Sequence, residues 1–403
     1  PRRVKQSSKH SRAAIAYPLL AFGPVQSNGL GVRVGKPTDN DAWATVAIGL
    51  GLAFLLLLGK GFLVAVLAPL AAGTLPQAVP FKEAMAQGGG RRVTPLPTTP
   101  DDVAVLQYTG GTTGVSKGAV LLHRNVIANV LQSEAWNAPV MQRVPANEQP
   151  TSVCALPLYH IFALTACFFQ FMRSGGSCLL IPNPRDIPGT VKELGKYRIN
   201  IFPAVNTLFN ALANNADFAK LDFSGLVISN GGGMAVQEAV AKKWLAVTGC
   251  PIVEGYGLSE TSAGVTCNPT DSDAFTGTIG LPLPNVEIKI LDDDGIEVPL
   301  GQSGEIAIKG PQVMRDYWRQ PGETQKVMTA DGFFKTGDVG KVDERGYVTI
   351  VGRSKDLIIS GGYNVYPAEI EGYINEMPGV AESAVVGVPH PDFGEVGVAV
   401  VIA

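Results

Sequence analysis

The chain has 403 residues, a length that suits two or three domains, and its 32 Lys and Arg against 35 Asp and Glu give a formal net charge of −3 at pH 7. This balance lacks the basic excess of a nucleic-acid-binding protein, so we predict no nucleic-acid partner. Five cysteines without a C-x-x-C pair exclude a zinc-finger or disulfide scaffold, and the absence of H-E-x-x-H excludes the common metalloprotease pattern.

The first 75 residues fall into two parts. Residues 1–41 begin with a basic cluster and continue without sustained periodicity, which predicts a poorly ordered segment. Residues 42–75 are apolar, and Lys60 is their only charged residue. An apolar run of this length favours a membrane segment, and a buried helix is the alternative. A hairpin or an interfacial helix would keep the following residues on the cytoplasmic, inner face of the membrane.

The stretch "YTGGTTGVSKG" (108–118) combines glycines with hydroxyl side chains and a lysine. Glycines allow close backbone approach, and hydroxyl, amide and ammonium donors suit phosphate oxygens. The stretch follows "VAVLQY" (103–108), which predicts a strand, and precedes "GAVLLHRNVIANVL" (118–131). It is not the common P-loop, because Lys117 is followed by Gly118 rather than Ser or Thr. The composition favours a phosphate-binding loop over a plain turn.

From about residue 100, short β-branched runs alternate with helical stretches, which predicts an α/β domain with parallel strands. After residue 275 the helical stretches become fewer, and two strand-like runs surround a D-D-D-G-I turn, which predicts a β-rich subdomain. A further change at 353–356 suggests a domain boundary. We therefore predict a large domain over 76–352 and the start of a small α+β domain over 353–403.

Four later stretches have the composition of a nucleotide site. "NGGGM" (230–234) offers bare backbone to a planar base, although a strand-to-helix turn has the same composition. "EGYGLSET" (254–261) places a hydroxyl beside a carboxylate, a pair suited to phosphate and Mg²⁺. "KTGDVG" (335–340) offers a carboxylate for ribose hydroxyls or, alternatively, an Asx turn. "GRSKD" (352–356) adds a guanidinium, which is more often a surface residue.

In this order, these stretches resemble the adenylate-forming superfamily, and within it the bacterial long-chain fatty-acid CoA ligases. The resemblance begins near residue 78 and also rests on the stretches "ALPLYHIFALT", "PNPRDIPGTVKEL", "VNTLFNAL", "KGPQVM", "LIISGGYNVYPAEIE" and "VVGVPH". It implies an ATP-dependent activation of a fatty acid to acyl-AMP, followed by transfer to coenzyme A, with Mg²⁺ as cofactor. The implied fold is a large layered α/β domain with a β-rich subdomain and a small α+β C-terminal domain.

The resemblance also implies roles for individual residues. The triphosphate loop is Thr109, Gly110, Gly111, Thr112, Thr113, Gly114 and Lys117. Glu260 binds Mg²⁺, Ser259 faces phosphate, and Asp338 and Arg353 bind the ribose. The adenine site is Gly231, Gly232, Gly233, Tyr256 and Gly257. His160 lies on the acyl path, although the Phe-rich segment around it is also typical of a core helix. Lys355 is the hinge, and Gly361 and Gly362 lie on the path of coenzyme A.

The chain departs from the family pattern in two respects. Ser259 stands where threonine is commoner, and the sequence stops at Ala403, before the family's C-terminal lysine. The missing lysine predicts impaired adenylation, because a cation at the α-phosphate matters most in the transition state. Two alternatives stay open: a membrane-tethered ATP-binding module without catalysis, and an acyl-AMP ligase that uses a carrier-protein acceptor.

Overall fold

The computed structural model describes residues 79–92, 96–109, 116–272, 275–353, 356–360, 363–375, 377–380, 382–390 and 394–402. The chain divides into two compact units, residues 1–98 and 99–403. In the first unit, the described residues form one exposed helix, α1 (Phe81–Gly88). The predicted segments 1–41 and 42–75 lie outside the described residues. Within the described residues, no helix is long and apolar enough to cross a membrane.

The largest sheet of the second unit has seven strands. They are β3 (Thr151–Cys154), β4 (Ser177–Leu180), β5 (Ile201–Ala204), β6 (Ile228–Gly231), β7 (Ile252–Leu258), β8 (Ala263–Cys267) and β9 (Leu281–Pro282). Their order is β4-β3-β5-β6-β7-β8-β9, with the first five parallel and the last two antiparallel. β5 is buried along its whole length, as expected for a parallel strand covered on both faces.

One helix precedes the first strand of this sheet, and four more lie between its strands. They are α2 (His123–Met141), α3 (Gln170–Ser174), α4 (Ile187–Leu194), α5 (Asn206–Ala213) and α6 (Glu238–Thr248). Local sequence sets several of their ends. The Asp186 carboxylate accepts a hydrogen bond from the Gly189 amide at the start of α4, and Gly249 ends α6 in the left-handed conformation. A π-helical turn, Ala163–Phe169, leads directly into α3.

The core beside this sheet is aromatic. The Trp244 side chain of α6 is fully buried and its ring contacts those of Phe202, Phe209 and Phe218. Its indole N–H donates to the Ser229 hydroxyl at 2.9 Å. The polar atom of this large side chain is therefore satisfied, and α6 is fixed against β5 and β6.

A hairpin precedes the sheet in the chain and consists of β1 (Val103–Thr109) and β2 (Lys117–Leu122). The other edge of β2 pairs with the distant segment 315–318. The Val120 amide donates to the Asp316 carbonyl at 2.8 Å, and the Trp318 amide donates to the Gly118 carbonyl at 2.7 Å. The hairpin is thus bonded to a segment almost two hundred residues later in the chain.

The region after residue 275 contains an antiparallel four-stranded sheet in the order β10-β11-β12-β13. Its elements are β10 (Glu287–Leu291), β11 (Gly304–Lys309), α7 (Pro321–Val327), β12 (Phe334–Val342) and β13 (Val348–Arg353). The D-D-D-G-I stretch forms the predicted turn, in which the Ile296 amide donates to the Asp292 carboxylate at 2.8 Å. The predicted α/β class with a β-rich part is confirmed.

The last part of the chain forms a second antiparallel sheet in the order β15-β14-β17-β16. Its elements are β14 (Ile358–Ser360), β15 (Tyr363–Val365), α8 (Pro367–Asn375), β16 (Glu382–His390) and β17 (Gly394–Ile402). This part of the chain therefore contains both a helix and strands, as the predicted α+β class requires. The domain limits 76–352 and 353–403 stay a prediction.

Candidate active site

A cavity of about 760 Å³ lies beside the ends of β6 and β7. In open α/β sheets, ligands bind at the carboxyl ends of the parallel strands. The predicted site residues that line this cavity are Thr109, His160, Gly231, Gly232, Gly233, Tyr256, Gly257, Ser259, Glu260, Asp338 and Arg353. The tertiary structure therefore brings together residues from the hairpin, the seven-stranded sheet and the β-rich region.

Three consecutive glycines form one wall of the cavity, and each has its own structural requirement. A Cβ at Gly231 would lie 2.6 Å from Val236 Cγ2, and a Cβ at Gly232 would lie 3.1 Å from Phe162 Cε1. Gly233 has φ +78°, a conformation that L side chains rarely adopt. Glycine at these positions therefore permits the turn and leaves bare backbone facing the cavity.

A buried carboxylate, Glu254, supports the turn that follows this wall. Its Oε1 atom accepts a hydrogen bond from the Val236 amide at 2.8 Å, and the residue is 8% exposed. Burial raises the pKa of Glu254 to about 7, and the Val236 hydrogen bond offsets only part of this effect. This carboxyl group therefore changes its charge close to neutral pH.

The Asp338 carboxylate enters the cavity from β12 and is held by two side chains. The Tyr256 hydroxyl donates to Oδ2 at 2.6 Å, and Arg353 Nε lies 3.3 Å from Oδ1. Burial, followed by the charge of Asp338, raises the pKa of Tyr256 well above its usual range, so the hydroxyl stays a donor. A carboxylate has more acceptor positions than these two contacts use, which leaves Asp338 able to accept from a ligand.

Ser259 and Glu260 lie on a short 3₁₀ turn, Ser259–Thr261, between β7 and β8. The Thr261 hydroxyl closes this turn, since it accepts from the Leu258 amide at 2.9 Å and donates to the Leu258 carbonyl at 3.1 Å. The next residue, Ser262, has φ +56° although it is not glycine. Such a conformation costs free energy and persists where the surroundings impose it. The Glu260 backbone is therefore tightly held.

The Glu260 side chain is connected to Lys117 through a tyrosine that the sequence did not indicate. The Tyr317 hydroxyl donates to Glu260 Oε1 at 2.7 Å, and Lys117 Nζ lies 5.2 Å from the centre of the Tyr317 ring. Lys117 Nζ also pairs with Glu323 Oε2 at 2.5 Å. The hydrogen bond from Lys117, followed by that from Lys326, lowers the pKa of Glu323 to about 2. Lys117 itself does not line the cavity.

The rest of the cavity wall mixes polar and apolar side chains, and its apolar part includes Trp136, Phe171, Ile201 and Leu283. His160 also lines the cavity; its Nδ1 atom accepts from the Phe162 amide at 3.2 Å, and partial burial lowers its pKa. The expected Phe-rich helix after His160 is present as the π-helical turn and α3. This wall offers an apolar surface next to the polar residues.

The remaining predicted site residues lie outside the described residues. They are Gly110, Gly111, Thr112, Thr113, Gly114, Lys355, Gly361 and Gly362. Thr109 and Lys117, which flank the glycine-rich loop, are paired across the hairpin. The end of β1 and the start of β2 therefore lie side by side, with Thr109 at the cavity.

The sequence reasoning missed Glu254, Tyr317 and Glu323. Glu254 is the first residue of the quoted "EGYGLSET" stretch, but the sequence does not show that this carboxylate is buried. Tyr317 and Glu323 belong to "DYWRQPGET" (316–324), which contains no recognisable nucleotide-binding pattern. Only the pairing of this segment with β2 brings it to the site.

Comparison with known proteins identifies the family. A model described as AMP-binding enzyme matches residues 60–318, and a model described as AMP-binding enzyme C-terminal domain matches residues 369–403. The chain belongs to the AMP-binding enzyme family. The residues that line the cavity before position 319 all lie within the first match.

Among curated relatives of this AMP-binding enzyme is the long-chain-fatty-acid–CoA ligase of Escherichia coli O6:H1. It is 51% identical over 321 residues, which cover 80% of this chain and 56% of the relative. The long-chain-fatty-acid–CoA ligase of Bacillus subtilis is 38% identical over 295 residues, which cover 73% of this chain and 51% of the relative. The chain thus spans about half the length of these relatives.

Solved structures give the same fold. ATP-bound MatB from Rhodopseudomonas palustris matches with a TM-score of 0.71 at 38% identity, over 79% of this chain and 62% of that protein. O-succinylbenzoate coenzyme A synthetase (MenE) from Bacillus subtilis, in complex with ATP and magnesium ion, matches with a TM-score of 0.64 at 29% identity, over 75% and 60% of the two chains. The expected adenylate-forming fold is confirmed.

The raised pKa of Glu254 predicts a pH-dependent stability for this AMP-binding enzyme. The folded state binds the Glu254 proton more tightly than the unfolded state, so this stabilisation is complete below about pH 4.5 and is lost as the pH rises to about 7. Glu254→Gln keeps an acceptor for the Val236 amide and has no charge to gain. Relative to the wild type, the free energy of unfolding of the variant should increase by on the order of 3 kcal/mol between pH 4.5 and pH 8.

Urea unfolding at a series of pH values measures this difference. Glu369→Gln, which changes an exposed carboxyl on α8, is the matched control and should follow the wild type. If the free energies of unfolding of wild type and Glu254→Gln run parallel from pH 5 to pH 8, the carboxyl does not titrate in this range.

Proposed function

We propose that this chain is the catalytic part of an AMP-forming acid–thiol ligase that activates long-chain fatty acids. The carboxylate oxygen of the acid attacks the α-phosphorus of ATP, and pyrophosphate leaves with the electron pair of the broken P–O bond. The thiol of coenzyme A then attacks the acyl carbonyl, and AMP leaves as the thioester forms. The observation that carries this proposal is one cavity with Asp338 and Glu260 at its polar wall and an apolar wall beside them.

The nucleotide would occupy the polar part of the cavity. We assign the ribose hydroxyls to Asp338, with Arg353 as its ionic partner. The adenine would lie against Gly231, Gly232, Gly233, Tyr256 and Gly257. The β and γ phosphates would bind the glycine-rich loop between Thr109 and Lys117, and the Ser259 hydroxyl would face a phosphate oxygen. Positioning and charge neutralisation account for the rate enhancement in such a reaction.

Mg²⁺ fits the donor set that faces this cavity. Glu260 is a hard oxygen ligand; one of its oxygens is occupied by Tyr317, and the other has no protein partner among the described residues. Within the same part of the chain, no group of three or more His, Cys, Asp or Glu side chains forms a metal site. Mg²⁺ commonly binds one or two carboxylates together with substrate phosphates. When bound, the ion would neutralise charge on the triphosphate.

The acyl group would lie against the apolar wall. His160 would lie on the acyl path, and Trp136, Phe171 and Leu283 line the same cavity. Two curated relatives carry the name long-chain-fatty-acid–CoA ligase, which supports a fatty acid as substrate and coenzyme A as acceptor. By the same family resemblance, we assign Lys355 to the hinge and Gly361 and Gly362 to the coenzyme A path.

We also propose that the enzyme is cytoplasmic and contacts the inner face of the membrane through residues 42–75. Across these residues the sequence carries a single charge, Lys60, so no polar helix face is available. An apolar helix of this kind is either buried in protein or in contact with lipid.

Lys117→Ala should weaken ATP binding. The substitution removes a charge-assisted contact worth about 1.5–3 kcal/mol, so the dissociation constant for ATP should rise about 10- to 100-fold. Isothermal titration with MgATP measures this change. Lys192→Ala, an exposed lysine of α4 outside the cavity, should bind ATP as the wild type does, and unchanged binding by Lys117→Ala would contradict the phosphate role.

In a chain extended with a complete C-terminal domain of the family, fatty acids should drive ATP–pyrophosphate exchange more strongly than acetate or amino acids do. The apolar wall favours a long alkyl chain, since each buried methylene contributes about 0.8 kcal/mol. A series of saturated acids of increasing length, compared with acetate and with free amino acids, measures this preference. Higher exchange with a polar amino acid would rule out the proposed substrate class.

Deletion of residues 1–75 should release the protein from lipid vesicles. Flotation of the full chain and of the deletion variant with vesicles of neutral phospholipid compares the two directly. The full chain should float with the vesicles and the variant should stay in the soluble fraction. A full chain that does not float would refute the membrane contact without affecting the ligase proposal.

A further inference from the structure

Tyr317 lies between the two charged groups to which we assign the metal and the triphosphate. It belongs to the segment 315–318, which pairs with β2 along its edge opposite β1. This pairing places residue 317 beside Ala119, two positions after Lys117. The side chain is 6% exposed and packs against Leu121, Ala263 and other core residues. A buried tyrosine hydroxyl requires a partner, and here that partner is a carboxylate.

The hydroxyl of Tyr317 restricts Glu260 to one orientation. It donates to Oε1 at 2.7 Å, a distance typical of a hydrogen bond to a charged acceptor. Burial and the charge of Glu260 raise the pKa of Tyr317 above its usual range, so the hydroxyl keeps its proton. Oε2 accepts from no protein group among the described residues, so it is the Glu260 oxygen with both acceptor positions open to a ligand.

The ring of Tyr317 provides a second contact. Lys117 Nζ lies 5.2 Å from the ring centre, within the range of a cation–π contact. The same ammonium group pairs with Glu323 at 2.5 Å, which comes from α7 directly after the 315–318 segment. One side chain therefore touches both the carboxylate and the lysine, although these groups come from separate parts of the chain.

We propose that Tyr317 is a positioning residue that orients Glu260 for the Mg²⁺–triphosphate and aligns it with Lys117. This inference rests on the proposed function. Tyr317 touches neither the reacting atoms nor, in this assignment, the ligand itself. It acts through Glu260, in the way that outer hydrogen-bond partners orient metal ligands and change metal affinity by about 10- to 100-fold.

The test uses Tyr317→Phe, which removes the hydroxyl and keeps the ring. Binding of an ATP analogue with a methylene group between the α and β phosphorus atoms is measured by calorimetry, once with Mn²⁺ and once with EDTA. The variant should lose about tenfold in affinity with Mn²⁺ and should change by less than about twofold in EDTA. A general loss of structure would weaken binding of the analogue both with Mn²⁺ and with EDTA, so a difference between the two titrations is specific to positioning.

A double-mutant cycle with Glu260→Gln provides the second arm. If Tyr317 acts through Glu260, Tyr317→Phe should add less than about twofold to the loss already caused by Glu260→Gln with Mn²⁺. Tyr347→Phe, which removes a hydroxyl from a tyrosine outside the cavity, should leave both titrations unchanged. Thermal unfolding of all variants should agree with the wild type within a few degrees.

The outcomes separate the two proposals. Mn²⁺ should raise the affinity of the wild type for the analogue. If it raises the affinity of Tyr317→Phe by the same factor, Tyr317 has no positioning role, and the ligase proposal stays intact. Equal losses with Mn²⁺ and with EDTA, or full additivity with Glu260→Gln, would also overturn it. A wild type that does not bind the analogue at all would refute the nucleotide site and this inference together.

Discussion

The arrangement of the site depends on the pairing of β2 with the segment 315–318. β2 already bonds to β1 on one edge, and the backbone contacts at Gly118 and Val120 attach the later segment to the other edge. Lys117 begins β2, so this pairing determines what lies next to it. The Tyr317 ring and the Glu323 carboxylate reach Lys117 only because their segment is held there.

The site also contains three buried carboxylates, each with a different balance of burial and hydrogen bonding. Asp338 has a hydroxyl and a guanidinium beside it, and Glu260 has a hydroxyl. Glu254 has one backbone amide, which does not compensate for its burial, and its pKa is raised to about 7. Burying a charge without sufficient partners is costly. Asp338, with two donors, is thus better supplied than Glu260 and Glu254, which have one each.

In this AMP-binding enzyme, these contacts surround one cavity. The cavity walls come from the hairpin, the parallel sheet and the β-rich region, so the site exists only when all three are assembled. Our proposals divide this cavity between a nucleotide and an acyl chain, with Glu260 and Lys117 near the triphosphate. Tyr317 contacts both of these residues, through its hydroxyl and through its ring.

The sequence by itself determined the α/β class, the β-rich region after residue 275 and the family. These features follow from patterns among residues that are neighbours in the sequence, such as β-branched runs, glycine-rich turns and short motifs in a fixed order. It also named several of the residues that line the cavity, because Asp338, Glu260 and the three glycines each lie in a recognisable stretch. Only the tertiary structure decided that Tyr317 and Glu323 belong with Lys117 and that Glu254 is buried. Burial and contacts between segments almost two hundred residues apart arise from packing, and no local pattern encodes them.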